Sequence, residues 1–180
     1  MLKSSSKAST MPETTNPTEL KHIRKSVEES VILGILNLAD TIRKKGDVIC
    51  HRYNITTQQW ILMLHLANDP NIPYFEGSRM KKQMVAAELA DALNVSRPNI
   101  TNLINSLIEK NLVRQIENKR DRRQKYLALT EDGWKIIDGI EPIRRKSNRK
   151  LLADLTADDK QNFFGFLKYC IEKFALAPKS

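Results

Sequence analysis

Between Val85 and Leu129 the spacing of apolar residues changes period, and this change restricts the fold more than any other feature of the chain. Val85, Leu89 and Leu93 recur every four residues; Ile100, Leu103, Ile104, Leu107 and Ile108 then follow at helical spacing, up to Lys110. Such steps mark one face of each of two helices, the first resuming around Gln83. Asn94 makes the tight turn between them, Ser96 is placed to cap the second helix, and Pro98 falls in its first turn, where a missing N–H does no harm. Small Ala90 lies where the helices approach, and Ile100 anchors the second from inside. Asn111 tolerates the left-handed conformation that suits a helix C-terminus. Beyond it, LVRQI and KYLALT flank the charged knot ENKRDRRQ, which reads as two strands and a tip over 112–129. Helix, turn, helix, hairpin is a helix-turn-helix layout with a hairpin appended.

Charge gathers on the same unit. The formal net charge is +9, and from 79 to 125 eleven basic residues (Arg79, Lys81, Lys82, Arg97, Lys110, Arg114, Lys119, Arg120, Arg122, Arg123, Lys125) stand against five acidic ones (Glu88, Asp91, Glu109, Glu117, Asp121), a difference of +6. An excess of this size calls for an anionic partner and says nothing about fold. The second helix of such a unit enters the major groove with its N-terminal residues leading. Here those are Ser96, Arg97, Pro98, Asn99, Thr101 and Asn102. Asn pairs with adenine on two atoms, Arg with guanine, and Ser or Thr with base or phosphate. The hairpin then serves as a wing, with Lys119, Arg120, Asp121, Arg122, Arg123 and Lys125 along the phosphates and into the minor groove, whose concentrated negative potential favours Arg. Asp121 can hold a neighbouring guanidinium in place through a bidentate pair. A basic run alone reads first as a solvated face; a helix-turn-helix directly before it makes double-stranded DNA the expected partner. The separate run RRKSNRK, 144–150, keeps the solvated reading.

Outside this unit the chain reads as helical. Residues 1–17, rich in Ser, Thr and Pro, read as a disordered tail. Leu20, Ile23, Val27, Val31, Ile35, Leu38, Ile42 and Ile49 mark a long helix over 19–52, with a bend expected near Gly46. Thr56 with Gln59 forms a capping box opening TTQQWILMLHLA, whose inner face is expected to be Trp60, Ile61, Met63 and Leu64. The stretch 69–82 is loop. Thr130 caps a helix over 131–155 carrying Trp134, Ile137, Ile140 and Ile143, with a bend expected at Pro142. Thr156 caps a last helix with Phe163, Phe166, Leu167, Cys170, Ile171 and Phe174 on one face. Trp60, Trp134 and the phenylalanines read most simply as core.

Several function classes are disfavoured. No Gly-rich phosphate loop, nucleophile elbow or metal-ligand motif is present, so neither an enzyme nor a cofactor is expected. His22, His51 and His65 do not cluster with other ligands, and no metal is expected. Cys50 and Cys170 lie too far apart in sequence for a disulfide framework, which suits a reducing cytoplasm. Cys50 is the candidate redox residue, with a structural role the stronger reading, and Cys170 has core spacing. MLKSSSKASTMPETTNP has no apolar segment, so no secretory signal is expected, and VILGILNLA is too short to span a bilayer, so no membrane partner is expected.

The stretch ELADALNVSRPNITNLINSLIEKNLVRQIENKRDRRQKYLALTEDG resembles the core of the MarR (multiple antibiotic resistance regulator) family of winged-helix transcription factors. The resemblance rests on ELA in the first helix, Ser-Arg-Pro opening the recognition helix, DRR in the wing and LTEDG entering the next helix, and it extends over about 28–175. It implies that Arg123 is the wing-tip arginine for the minor groove, with Asp121 its orienting partner. It implies dimerisation through the flanking helices, and either an aromatic ligand between the DNA lobe and the dimer arm or oxidant sensing through a cysteine near the dimer helix. Asn94 and Asn111 stand where the family commonly has Gly, and 69–82 is longer than its usual connection.

The expectation is therefore a mainly α chain with a small β-hairpin wing, a winged helix-turn-helix lobe with a helical dimerisation arm. Its parts are a tail (1–17), an N-terminal dimerisation helix (18–55), the DNA-binding lobe (56–130) and C-terminal dimerisation helices (131–176). The expected function is a homodimeric regulator of an inverted-repeat operator, a repressor released by a small-molecule or redox signal. The rival is a winged helix used only to bind proteins.

Overall fold

The computed structural model describes residues 26–72, 84–117 and 124–176. The expected tail and the wing tip at 118–123 lie outside them, as does most of the 69–82 loop. The chain divides between Thr41 and Ile42 into two compact units.

Helix α1 (Val27–Cys50) crosses that division. In the first unit, Ser26 Oγ accepts the Glu29 N–H at 3.0 Å, and Glu28 and Glu29 sit at the positive end of the helix. Val27, Val31, Leu33 and Leu36 on this part are all exposed. In the second unit, α1 continues through Gly46, where the glycine serves packing: a Cβ there would come within 2.6 Å of Thr57 Oγ1. Cys50 is buried, a short 3-10 turn follows over His51–Tyr53, and Asn54 reverses the chain at φ 56°.

Helix α2 (Thr57–Ala67) opens with the expected capping box: Gln59 N–H donates to Thr56 Oγ1 at 3.2 Å and Thr56 N–H to Gln59 Oε1 at 3.1 Å. Leu62, Met63 and Leu64 are buried while Ile61 faces outward, so the inner face differs from the one expected. The run WILMLHLA has too few polar positions to fix its phase, and Thr57, Gln59 and His65 are buried as well.

The short strand β1 (Met84–Val85) replaces the expected start of a helix at Gln83, and α3 (Ala86–Ala92) begins after it. Two residues are too few for alternation to be visible in sequence; the strand exists because β3 lies beside it. After Asn94 at φ 50° come α4 (Arg97–Glu109), β2 (Val113–Glu117) and β3 (Lys125–Leu129). The antiparallel sheet has the order β1-β3-β2, with Val113 opposite Leu129, Glu117 opposite Lys125, and Met84 opposite Leu127. Val113, Leu127 and Leu129 turn inward to Leu62, Met63, Leu89, Ile100 and Leu107, which form the centre of the core.

Helix α5 (Glu131–Leu151) is fastened to the end of α4. Thr130 Oγ1 accepts the Gly133 N–H at 3.0 Å and donates to Asn111 O at 2.6 Å, while Thr130 N–H donates to Leu112 O at 3.1 Å. A Cβ on Gly133 would collide with the Leu112 carbonyl, which is the physical reason for glycine in LTEDG. Ile137 and Ile140 are buried, Trp134 is exposed rather than core, and the helix runs on through Pro142. Helix α6 (Ala157–Leu176) follows, capped by Thr156, whose Oγ1 accepts the Asp159 N–H at 3.1 Å. Among the described residues it contributes nothing to the buried core: Phe163, Phe166 and Phe174, expected inside, are exposed, and Cys170 is only half-buried.

Candidate nucleic-acid interface

Helix α4 has two unlike faces. Ile100, Ile104 and Leu107 are buried, and Leu103 and Ile108 pack against the same core. Ser96, Arg97, Pro98, Asn99, Thr101 and Asn102 are all exposed, and Asn105 continues that polar face by one turn. Asn105 was not among the expected site residues, although its position three and four after Asn102 and Thr101 carries the signal. The structure thus gathers all six expected recognition residues at one solvent-facing helix end.

Local bonds fix what each residue can offer. Ser96 Oγ accepts the Asn99 N–H at 3.4 Å, which caps the helix and leaves the hydroxyl proton free to donate. The Thr101 hydroxyl donates to Arg97 O at 2.9 Å, which leaves it an acceptor. Arg97 reaches back to Asp91 on α3, Nη2 to Oδ1 at 3.4 Å, an exposed pair that limits where the guanidinium can swing. The side-chain amides of Asn99, Asn102 and Asn105 make no hydrogen bond to another described residue.

The sheet presents less. Lys125 is exposed at the start of β3, and Arg114 is exposed on β2. Lys119, Arg120, Asp121, Arg122 and Arg123 lie outside the described residues.

Cys50 is 1% exposed. Burial pushes its thiol above the ordinary cysteine value and the Asp47 carboxylate adds to the rise, against a hydrogen bond with Thr57 that opposes it. Such a thiol is not ionised at neutral pH, and the thiolate is the reactive form. Among the described residues no group of three His, Cys, Asp or Glu is placed to hold a metal, and no helix is long and apolar enough to cross a membrane.

A second polar cluster joins α2 to α5. Arg144 Nη2 lies 3.5 Å from Asp69 Oδ2, also pairs with Glu141, and sits over the Trp60 ring at 5.3 Å from its centroid. Trp60, expected in the core, is half-buried under that guanidinium, and its Nε1 has no hydrogen-bond partner among the described residues.

Comparison with known proteins gives one consistent result. The family model described as MarR family matches residues 53–124. The HTH-type transcriptional regulator FarR of Neisseria gonorrhoeae is 26% identical over 153 residues, covering 79% of this chain and 92% of that protein. The homoprotocatechuate degradative operon repressor of Escherichia coli is 22% identical over 148 residues, 82% of this chain and 89% of that one. Among solved structures, the S. aureus MepR–DNA complex superimposes with a TM-score of 0.68 at 18% identity, covering 83% of this chain and 99% of that one. Staphylococcus aureus MarR in complex with salicylate and kanamycin does so with a TM-score of 0.69 at 17% identity, over 85% and 95%.

Proposed function

We propose that this chain is a winged-helix transcriptional regulator of the MarR family, a homodimeric repressor of an inverted-repeat operator. The observation that carries the reading is the two-faced α4: its apolar side is locked into the core, and its free side holds Arg97, Asn99, Thr101, Asn102 and Asn105 toward solvent. No such concentration of base-reading groups is needed for packing. The structurally similar MepR was solved in complex with DNA, which supports DNA as the partner. Two-fold symmetry would present two such helices about 34–36 Å apart, near one turn of DNA.

The exposed apolar residues of α6 support the dimer, because a lone chain leaves Phe163, Phe164, Phe166, Tyr169 and Phe174 in water. The wing role of Arg123, oriented by Asp121, rests on the DRR sequence. Effector release rests on the relatives: one is named for a homoprotocatechuate operon and one structure holds salicylate. An aromatic acid is therefore the effector class to test, acting by changing the distance between the two recognition helices. A tenfold release needs a coupling of only about 1.4 kcal/mol, and the DNA must weaken the ligand by the same factor. The burial of Cys50 supports packing over redox sensing. We place the protein in the cytoplasm, where its DNA is.

The test is a gel shift on the promoter beside its own gene, repeated over a salt series. A regulator gives a sequence-selective shift that weakens steeply with salt. A winged helix used only for protein contacts gives none. Arg123→Ala should weaken binding broadly and lower the salt slope by about 0.9 for each phosphate it no longer neutralises.

A further inference from the structure

Gln59 is buried, 4% exposed, at the start of α2 and takes part in four hydrogen bonds. Its Oε1 accepts from Thr56 N–H at 3.1 Å and from Lys110 Nζ at 3.3 Å; its Nε2 donates to Ser106 Oγ at 3.0 Å; its own N–H donates to Thr56 Oγ1 at 3.2 Å. Lys110 also donates to Asn54 O at 2.7 Å. The two donors at Oε1 fix which end of the amide faces Ser106. Gln59 thus joins the cap of α2 to Ser106 on α4 and to Lys110 at its C-cap, and Lys110 carries the link on to the turn after α1.

A capping box needs only the local pair, and an exposed Gln or Glu would serve. The bonds to Ser106 and Lys110 reach 47 and 51 residues along the chain. Ser106 lies seven residues and Lys110 eleven after Asn99, so all three run along one side of α4. The apolar contacts of Ile100, Ile104 and Leu107 hold the helix down, but dispersion and burial are not directional. They tolerate small rotations of α4 about its axis. A rotation of about 10° moves a side-chain tip about 1 Å at the outer radius of a helix. That is enough to spoil a bidentate base contact, whose geometry is narrow. Rotation of α4 displaces Ser106 Oγ from Gln59 Nε2, so this directional bond resists it.

We propose that Gln59, through Ser106, is a positioning residue that sets the rotation of α4 and so sharpens base selection, without touching DNA. The proposal rests on α4 being the recognition helix. It predicts that two residues that do not touch DNA govern selectivity more than affinity for phosphates.

The experiment is selection of duplexes from a random library by the full-length wild type, Ser106→Ala, Gln59→Met and Gln59→Glu, with melting and salt titration on each. Ser106→Ala and Gln59→Met should each relax the preference at bases under α4 roughly three- to tenfold, with the salt slope unchanged. Gln59→Glu should keep it, because a carboxylate still accepts from Thr56 and Lys110 and the Ser106 hydroxyl can turn to donate. A purely structural role would instead lower melting temperature and weaken all sequences alike. If Gln59→Met does not fold, Ser106→Ala and Gln59→Glu carry the comparison. A wild type that selects sharply beside a Ser106→Ala that selects equally sharply overturns the positioning role alone. A wild type that recovers no sequence overturns the DNA reading and this proposal with it.

Discussion

Helices α4 and α6 are both amphipathic, yet the fold treats them in opposite ways. Helix α4 turns its apolar face into the core and its polar face to solvent, and Ser106 and Lys110 tie it by directional bonds to Gln59. Helix α6 leaves its apolar face bare, with Phe166 and Phe174 at 70% and 73% exposure. Local sequence cannot distinguish the two cases, since each shows apolar residues at helical spacing. The difference teaches that an apolar face finished within its own chain can display chemistry on its other side, whereas an unfinished face is itself a place for a partner.

The largest expected effect lies in α6. Phe166→Glu with Phe174→Glu should convert a dimer to a monomer in sedimentation. Operator affinity should fall about 10²–10⁴-fold, because the second recognition helix no longer binds as an intramolecular event. A double variant that stays dimeric, with full affinity, would refute the role of this face.

Next is the interior of α4. Leu107→Ala removes a fully buried side chain and should cost about 2–5 kcal/mol in denaturant unfolding. Phe166→Ala should instead make the melting temperature depend more strongly on protein concentration, which is the signature of a face covered by another chain. Equal, concentration-independent destabilisation at both positions would erase the contrast between the helices.

Asn102→Ala tests the outer face of α4. It should leave melting unchanged and reduce discrimination at one base pair by about 1–3 kcal/mol in competition binding. Uniform weakening across sequences would reassign Asn102 to the phosphates.

The smallest effect is a pH dependence of the lobe. His65 is 6% exposed, and burial holds its pKa below the ordinary 6.5. The unfolded chain therefore takes up a proton below about pH 6.5 that the folded lobe resists. Stability should fall as pH drops through that value and level off below the folded pKa. His65→Leu should flatten this part of the stability–pH curve; an unchanged curve would show that other groups dominate it.

Much of the architecture was legible because it is local. Capping by Thr56, Ser96, Thr130 and Thr156 depends on residues three apart, and each cap forms. Asn94 and Asn111 take the left-handed turns expected of them, at φ 50° and 56°. The exposure of the residues proposed for recognition was legible for the same reason: periodicity fixes which side of α4 is apolar, so it fixes which side faces solvent. The wing reading came from the resemblance carried by DRR, which lies outside the described residues.

Tertiary structure decided what depends on distant neighbours. Met84 and Val85 are a strand because Leu127 and Tyr126 lie opposite them. Gly46 and Gly133 are required because Thr57 and the Leu112 carbonyl come close, which no local pattern announces. Ile61 faces out and Leu62 in because the surroundings of α2, not its nearly unbroken apolar run, set its phase. Gln59 looked like a cap and became a joint, since Ser106 and Lys110 reach it only after the chain folds. Periodicity is a property of neighbours along the chain, so sequence alone determined the helices and the hairpin; burial depends on neighbours across space, so the fold decided which faces were covered and which were left exposed.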